Sequence, residues 1–293
     1  MLRIALIYNG HISCGVGTFF KRAFEKTPHV IQHFWLKDAA QIPHTFDLYV
    51  RIDEGDYSTT DIPSYLKPSI YYAVDTHIPR SRASMEKFIA HYDVIFCAQY
   101  LGVPEWQKKY KQVIWMPLGY DPQVHKPSSQ PIHQKYDIGF VGSLGGGGGA
   151  GGMDRKFILQ ELGERYPNTF MGKFPYLDIA DIYTQSKIGF NFSIQNDINM
   201  RIFEILACGA LLLTNRIQDP MLEQLFKDRE HLVIYENLKD LHEKIDFYLS
   251  HDDERNQIAS QGHQRVLVRP NRYLDRVHRM LELIENPAHL SLI

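Results

Sequence analysis

The 293-residue sequence has little cysteine: Cys14, Cys97 and Cys208 stand far apart. That spacing excludes a disulfide framework and a zinc site built from paired cysteines, and a reducing, cytoplasmic setting is expected. An excess of either charge is also missing. With a formal net charge of −2 there is no electrostatic footprint for nucleic acid or an anionic membrane, so neither is expected as a partner. No apolar run approaches the roughly 18 residues of a membrane span, and the opening MLRIALIYNG predicts no signal peptide. Glycine is plentiful in one place, but no GK[ST] follows it, which excludes a P-loop.

What is present is an alternation. Apolar strand patterns (LRIALIY, VIQHFW, DLYVRI, SIYYAV, DVIFCA, QVIWMPLG) are interleaved with helical patterns near residues 82–91 and 104–110. After residues 121–134, rich in Pro, Ser, Gln and His and read as a linker, the alternation restarts with YDIGFVG. Helices are predicted over 154–166, 179–186, 238–250, 254–268 and 271–285, with strands at KIGFNF, ALLLT and HLVIY. Parallel neighbours need crossover helices, so the expected class is α/β with two doubly wound, Rossmann-like domains facing each other across a cleft. The boundaries are 1–125, 126–270, and a final helix at 271–293 that packs back on the first domain.

The most informative stretch is NMRIFEILACGALLLTN, residues 199–215. At helical period Ile202, Ile205 and Leu206 share one face, while Arg201, Glu204 and Cys208 share another. Gly209 ends the helix. Its N-terminus opens at the carboxyl edge of KIGFNF, where open α/β sheets bind phosphorylated ligands. Arg201 stands in the first turn, which the helix dipole disfavours for a cation unless an anion is bound there. Either it holds a diphosphate with the nearby N–H groups, or it pairs with Asp197 or Glu204. Glu204 likewise either accepts two ribose hydroxyls or forms an i, i+3 ion pair with Arg201.

Other candidates lie at predicted strand ends. Gly142 and Ser143 in FVGS lead through the run GGGGGAGG, residues 145–152, to Arg155 and Lys156, which can supply charge to phosphate oxygens. That run is either a natural flexible loop or an engineered replacement for one. In YYAVDTH, Asp75 can orient His77 as a general base, or each can bind acceptor hydroxyls. His11, Arg51 and Asp53 fall on the same predicted edge.

With SKIGFNFS, RIFEILACGALLLTN, YYAVDTH, WMPLGYDPQVHKP and DIGFVGS in hand, the chain resembles the glycosyltransferases of GT-B fold, and among them the spore-maturation CgeB-like group, which carries a similar R-x-FE-x-x-A-x-G signature. The resemblance covers most of the chain. It implies a nucleotide-sugar donor held mainly by the C-terminal domain and an unknown acceptor (glycan, protein or small molecule) met by the N-terminal one. On that reading Glu204 holds the donor ribose, Arg201 the diphosphate, and Gly142, Ser143 and Arg155 the phosphate loop, with Asn199 beside them. Retaining members of the wider fold group have two glutamates eight positions apart. The first position here is Asn196, followed by Asp197, which leaves the stereochemical outcome open.

The expected activity is therefore transfer of a hexose or deoxyhexose from a nucleoside diphosphate sugar, with His77, Asp75 and His11 as the catalytic candidates. A D-x-D pair, used by many metal-dependent sugar transferases, is absent, since Asp53-Glu54-Gly55-Asp56 has the wrong spacing. No metal and no cofactor beyond the donor is expected. Two rivals stand. One is a catalytically idle nucleotide-sugar-binding or interaction protein. The other is a nicotinamide-dependent oxidoreductase, suggested by Gly10, Gly15, Gly17 and Asp38, although Phe20 takes the third glycine's place in G-x-G-x-x-G.

Overall fold

A computed structural model describes residues 1–10, 15–55, 61–127, 134–145, 154–268 and 270–285. The chain divides into two compact units, Met1–Pro117 with Arg272–Ile293, and Leu118–Asn271.

The first unit holds strands β1 (Arg3–Ile7), β2 (Val30–Phe34), β3 (Leu48–Ile52), β4 (Ser69–Ala73), β5 (Val94–Cys97) and β6 (Val113–Trp115). They form one parallel sheet in the order β2-β1-β3-β4-β5-β6. Strands β3 and β4 are buried along their whole length, as central parallel strands covered on both faces are. Helices α1 (Val16–Phe24), α2 (Pro79–Met85) and α3 (Val103–Gln107) follow β1, β4 and β5. The helix expected at 82–91 begins earlier, because the fixed φ of Pro79 suits a first turn. Tyr49, Tyr71, Met85, Ile95 and Trp106 belong to one apolar core cluster of this unit.

The second unit holds β7 (Tyr136–Val141), β8 (Thr169–Gly172), β9 (Ser186–Asn191), β10 (Leu211–Asn215) and β11 (Val233–Tyr235). Their order is β11-β10-β9-β7-β8, again all parallel. Strand β8 escapes sequence reading because TFMG is a half-buried edge segment without an apolar run. The helices are α4 (Arg155–Arg165), α5 (Ile179–Thr184), α6 (Met200–Cys208), α7 (Met221–Leu225), α8 (Leu238–Ser250) and α9 (Asp252–Val268). The αL conformation of Gly209, φ +82°, ends α6 and lets β10 begin two residues later. Ile138, Phe140, Phe190, Leu213 and Tyr235 lie in this unit's core.

The last helix, α10 (Tyr273–Glu285), belongs to the first unit. Tyr273 stacks on Phe19 of α1 at 5.0 Å, and Arg276 Nε donates to Pro117 O at 2.8 Å. The stretch expected as a linker is ordered at its start and lies with the second unit. Asp121 and His125 are buried, and Tyr120 N donates to Asn271 O at 3.1 Å, tying the two ends of that unit together. Among the described residues no helix is long and apolar enough to cross a membrane. Cys97 and Cys208 are buried free thiols.

Candidate functional site

In each sheet the strand order reverses once beside its first strand, between β1 and β3 and between β7 and β9. Such a switch point opens a crevice at the carboxyl ends of the strands, since the connections leave to opposite sides.

In the second unit Arg201 reaches across this crevice. Its Nε donates to Val141 O at the end of β7 (3.0 Å), and Nη1 donates to Asn191 Oδ1 at the end of β9 (2.9 Å). The guanidinium carbon lies 4.6 Å from the Phe140 ring centre. Asn191 is oriented in turn by donating to Thr214 Oγ1 at 2.9 Å. Neither of the alternative ion pairs forms: Arg201 is paired with neither Glu204 nor Asp197, and its partners are a carbonyl and an amide. Asn191 carries a signal that sequence reading passed over, a polar residue inside the apolar run KIGFNF.

Arg155 is Arg201's electrostatic neighbour. Burial first, and then the charge of Arg201, hold Arg155 below the ordinary arginine range. Its Nε donates to Gly145 O at 2.9 Å, and no carboxylate forms an ion pair with it among the described residues. The amides that open α4 are already used, because Asp154 accepts from Lys156 N (2.9 Å) and Phe157 N (3.3 Å). Ser143 is exposed, and its Oγ accepts from Gly145 N at 3.2 Å. Residues 146–152 of the glycine run lie outside the described residues.

The start of α6 is different. Its N-cap, Asn199, makes no side-chain cap, and the first turn has no acidic residue. Asn199 Nδ2 instead donates to Asp197 Oδ1 at 3.3 Å, while its buried Oδ1 accepts no hydrogen bond. Asp197 braces the preceding loop by accepting from Ser193 Oγ (2.7 Å) and Ile194 N (3.0 Å). Asn196, at φ +68°, accepts from Gln218 N at 3.1 Å. Both are therefore anchors of the turn that presents α6.

Glu204 is buried one turn further along, with 5% of its surface exposed. Burial raises its pKa above the usual carboxylate value, a shift that a hydrogen bond from Tyr176 and the charge of Arg201 oppose. Tyr176 OH donates to Oε1 at 2.5 Å, and His125 Nε2 stands 3.9 Å from the same oxygen. Tyr176 carries no recognisable sequence signal, and although His125 lies within WMPLGYDPQVHKP, nothing in that stretch links it to Glu204, which it meets from a distant segment.

In the first unit Asp75 and His77 sit in the turn after β4, where Ile78 N donates to Asp75 O at 3.1 Å. Thr76 Oγ1 anchors that turn to Gln99 O at 3.1 Å. No hydrogen bond joins Asp75 to His77, whose Nδ1 is buried without a partner. Asp53 braces two loops, accepting from Gly55 N (2.9 Å) and Val74 N (3.1 Å). Arg51 is fully buried, 3.7 Å from Asp61. His11 lies outside the described residues.

Residues 143–282 match the family model described as glycosyl transferase-like. Among solved structures the chain is similar to sucrose-phosphate synthase from Thermosynechococcus elongatus, with 10% identity over 98% of this chain and 100% of that one and a TM-score of 0.69. It is similar to HepE of Anabaena in complex with UDP and glucose, with 11% identity over 98% and 100% and a TM-score of 0.69. The fold is GT-B. A glycosyltransferase from Rickettsia africae is a further structural neighbour, at 13% identity over 96% and 98%, TM-score 0.63. No curated protein sequence matches the chain. In GT-B terms the crevice with Arg201, Arg155 and Glu204 belongs to the C-terminal unit, and the turn with Asp75 and His77 to the N-terminal one.

Proposed function

We propose that this protein transfers a hexose or deoxyhexose from a nucleoside diphosphate sugar to an acceptor nucleophile, without a metal ion, as a member of the CgeB-like group. The observation that carries this reading is the arginine pair. Arg201 lies close enough for its charge to act on Arg155, neither forms an ion pair with a carboxylate among the described residues, and both accompany an uncapped helix start at the switch point of the sheet. Two guanidinium groups held only by neutral acceptors repel each other, and a diphosphate relieves that repulsion. The same groups stabilise the charge that develops on the diphosphate as the glycosidic bond breaks. Glu204, on the same helix, takes the ribose hydroxyls. The family match over residues 143–282 and the UDP complex of HepE support the assignment.

His77 is assigned to the acceptor, as base or as orienting group, with Asp75 beside it in the same turn. The missing hydrogen bond between them favours a second reading, a protein that binds nucleotide sugars without transferring them.

A melting panel of UDP, GDP and dTDP with their sugars tests the donor site. One nucleotide is expected to stabilise the protein by about 2.7 kcal/mol at one hundred times its dissociation constant, and Arg201→Ala to abolish the shift. No shift with any of them overturns the assignment. A shift with no release of nucleotide from any donor sugar selects the second reading.

A further inference from the structure

Glu204 is hydrogen-bonded by one residue and approached by a second, neither of which the donor chemistry above uses. Tyr176 OH and His125 Nε2 approach the same carboxylate oxygen, Oε1, at 2.5 and 3.9 Å. Their rings meet edge to face with centroids 5.9 Å apart. The backbone N–H of Asp121 donates to His125 Nδ1 at 3.0 Å, which places the proton of the neutral ring on Nε2, the nitrogen nearer Glu204. Tyr176 thus donates a hydrogen bond to Oε1, and the N–H of His125 stands near the same oxygen at 3.9 Å without a hydrogen bond. Oε2 makes no hydrogen bond among the described residues.

We propose that Tyr176 and His125 are positioning residues that pin Oε1 and so present Oε2 to the ribose hydroxyls, making the site selective for nucleotides that keep those hydroxyls. The inference rests on the donor-site reading above. A carboxylate free to rotate would lose that freedom when a nucleotide binds, whereas one already held loses little. A ligand without the hydroxyls would bury the carboxylate with Oε2 unpaired, which is the costly case for a charged group.

The test uses the nucleoside diphosphate that binds in the melting panel and its 2′,3′-dideoxy counterpart, with both affinities measured by calorimetry. The wild type is expected to prefer the parent nucleotide by about tenfold or more. Tyr176→Phe should narrow that preference about fivefold or more by weakening the parent alone, a loss of the order of one hydrogen bond, and His125→Leu should narrow it about two- to threefold in the same way, through the lost polar contact at Oε1. The unchanged dideoxy affinity then reports an intact fold. His125→Gln, which keeps an N–H near the position of Nε2, should restore most of the preference. Arg201→Ala, by contrast, should weaken both ligands alike.

Equal weakening of both ligands by Tyr176→Phe and His125→Leu, or a preference they leave untouched, overturns the positioning role. A wild type that binds both ligands equally also overturns it while the donor site stands. A wild type that binds no nucleoside diphosphate removes the donor site, and this inference with it.

Discussion

Gly142 and Arg201 are fitted to each other: a Cβ on Gly142 would stand 2.5 Å from Arg201 Nη2. The bare backbone at the end of β7 is what lets the guanidinium lie across to Val141 O and Asn191. Gly142 stands at φ +157°, a conformation L side chains rarely adopt, so Gly142→Ala should cost some stability as well as displace the guanidinium. The expected result is a fall in nucleoside diphosphate affinity of about ten- to a hundredfold, the range of one charged hydrogen bond, about 1.5–3 kcal/mol. Isothermal calorimetry beside a melting curve checks it; unchanged affinity would mean that the position of Arg201 is immaterial.

Burial raises the Glu204 pKa, so the folded protein holds this proton more tightly than the unfolded chain does. Below the ordinary glutamate value of about 4.3 both states are protonated and folding carries no penalty from this group. As pH rises from there through the raised folded value, stability is lost, and above that value the loss is complete. Glu204→Gln should therefore melt higher than the wild type at pH 7 without nucleotide, the difference closing near pH 4, while losing nucleotide binding. A lower melting temperature for Glu204→Gln at pH 7 would contradict this.

Glu54 argues against nicotinamide chemistry. Its Oε1 accepts from Gly17 N at 3.0 Å in the first turn of α1, and a Cβ on Gly15 would fall 2.1 Å from the same oxygen. A carboxylate thus stands at the helix start where a dinucleotide's pyrophosphate would need to lie. NADH and NADPH are expected to leave the melting temperature unchanged. Glu54→Ala should cost about 1 kcal/mol of stability, as loss of a helix cap does, without altering nucleoside diphosphate binding. Micromolar NADH binding to the wild type would restore the oxidoreductase.

Much of the fold was legible because its signals are local. A continuous apolar run between turn residues marks a buried parallel strand, and KIGFNF, DLYVRI and ALLLT each became one. Strand β8 and helix α7 were not legible, being short and with too little apolar pattern to stand out. The site divided in the same way. Arg201 drew attention by standing against the dipole of its own helix, a property readable from neighbours in the chain. Tyr176 and His125 could not be found so, because what makes them notable is Glu204, which the chain brings to them only on folding.

By itself the sequence determined that there are two parallel α/β sheets, where most of their strands and helices run, and that α6 ends at Gly209. These depend on hydrophobic period and on backbone preference, which act over a few residues. Only the tertiary structure decided the strand orders, and with them the two switch points. It also decided that Arg201 rests on Val141 and Asn191 rather than on a carboxylate, and that Glu204 is met by Tyr176 and His125. Those choices follow from which segments bury one another, a competition among distant parts of the chain that no local pattern records.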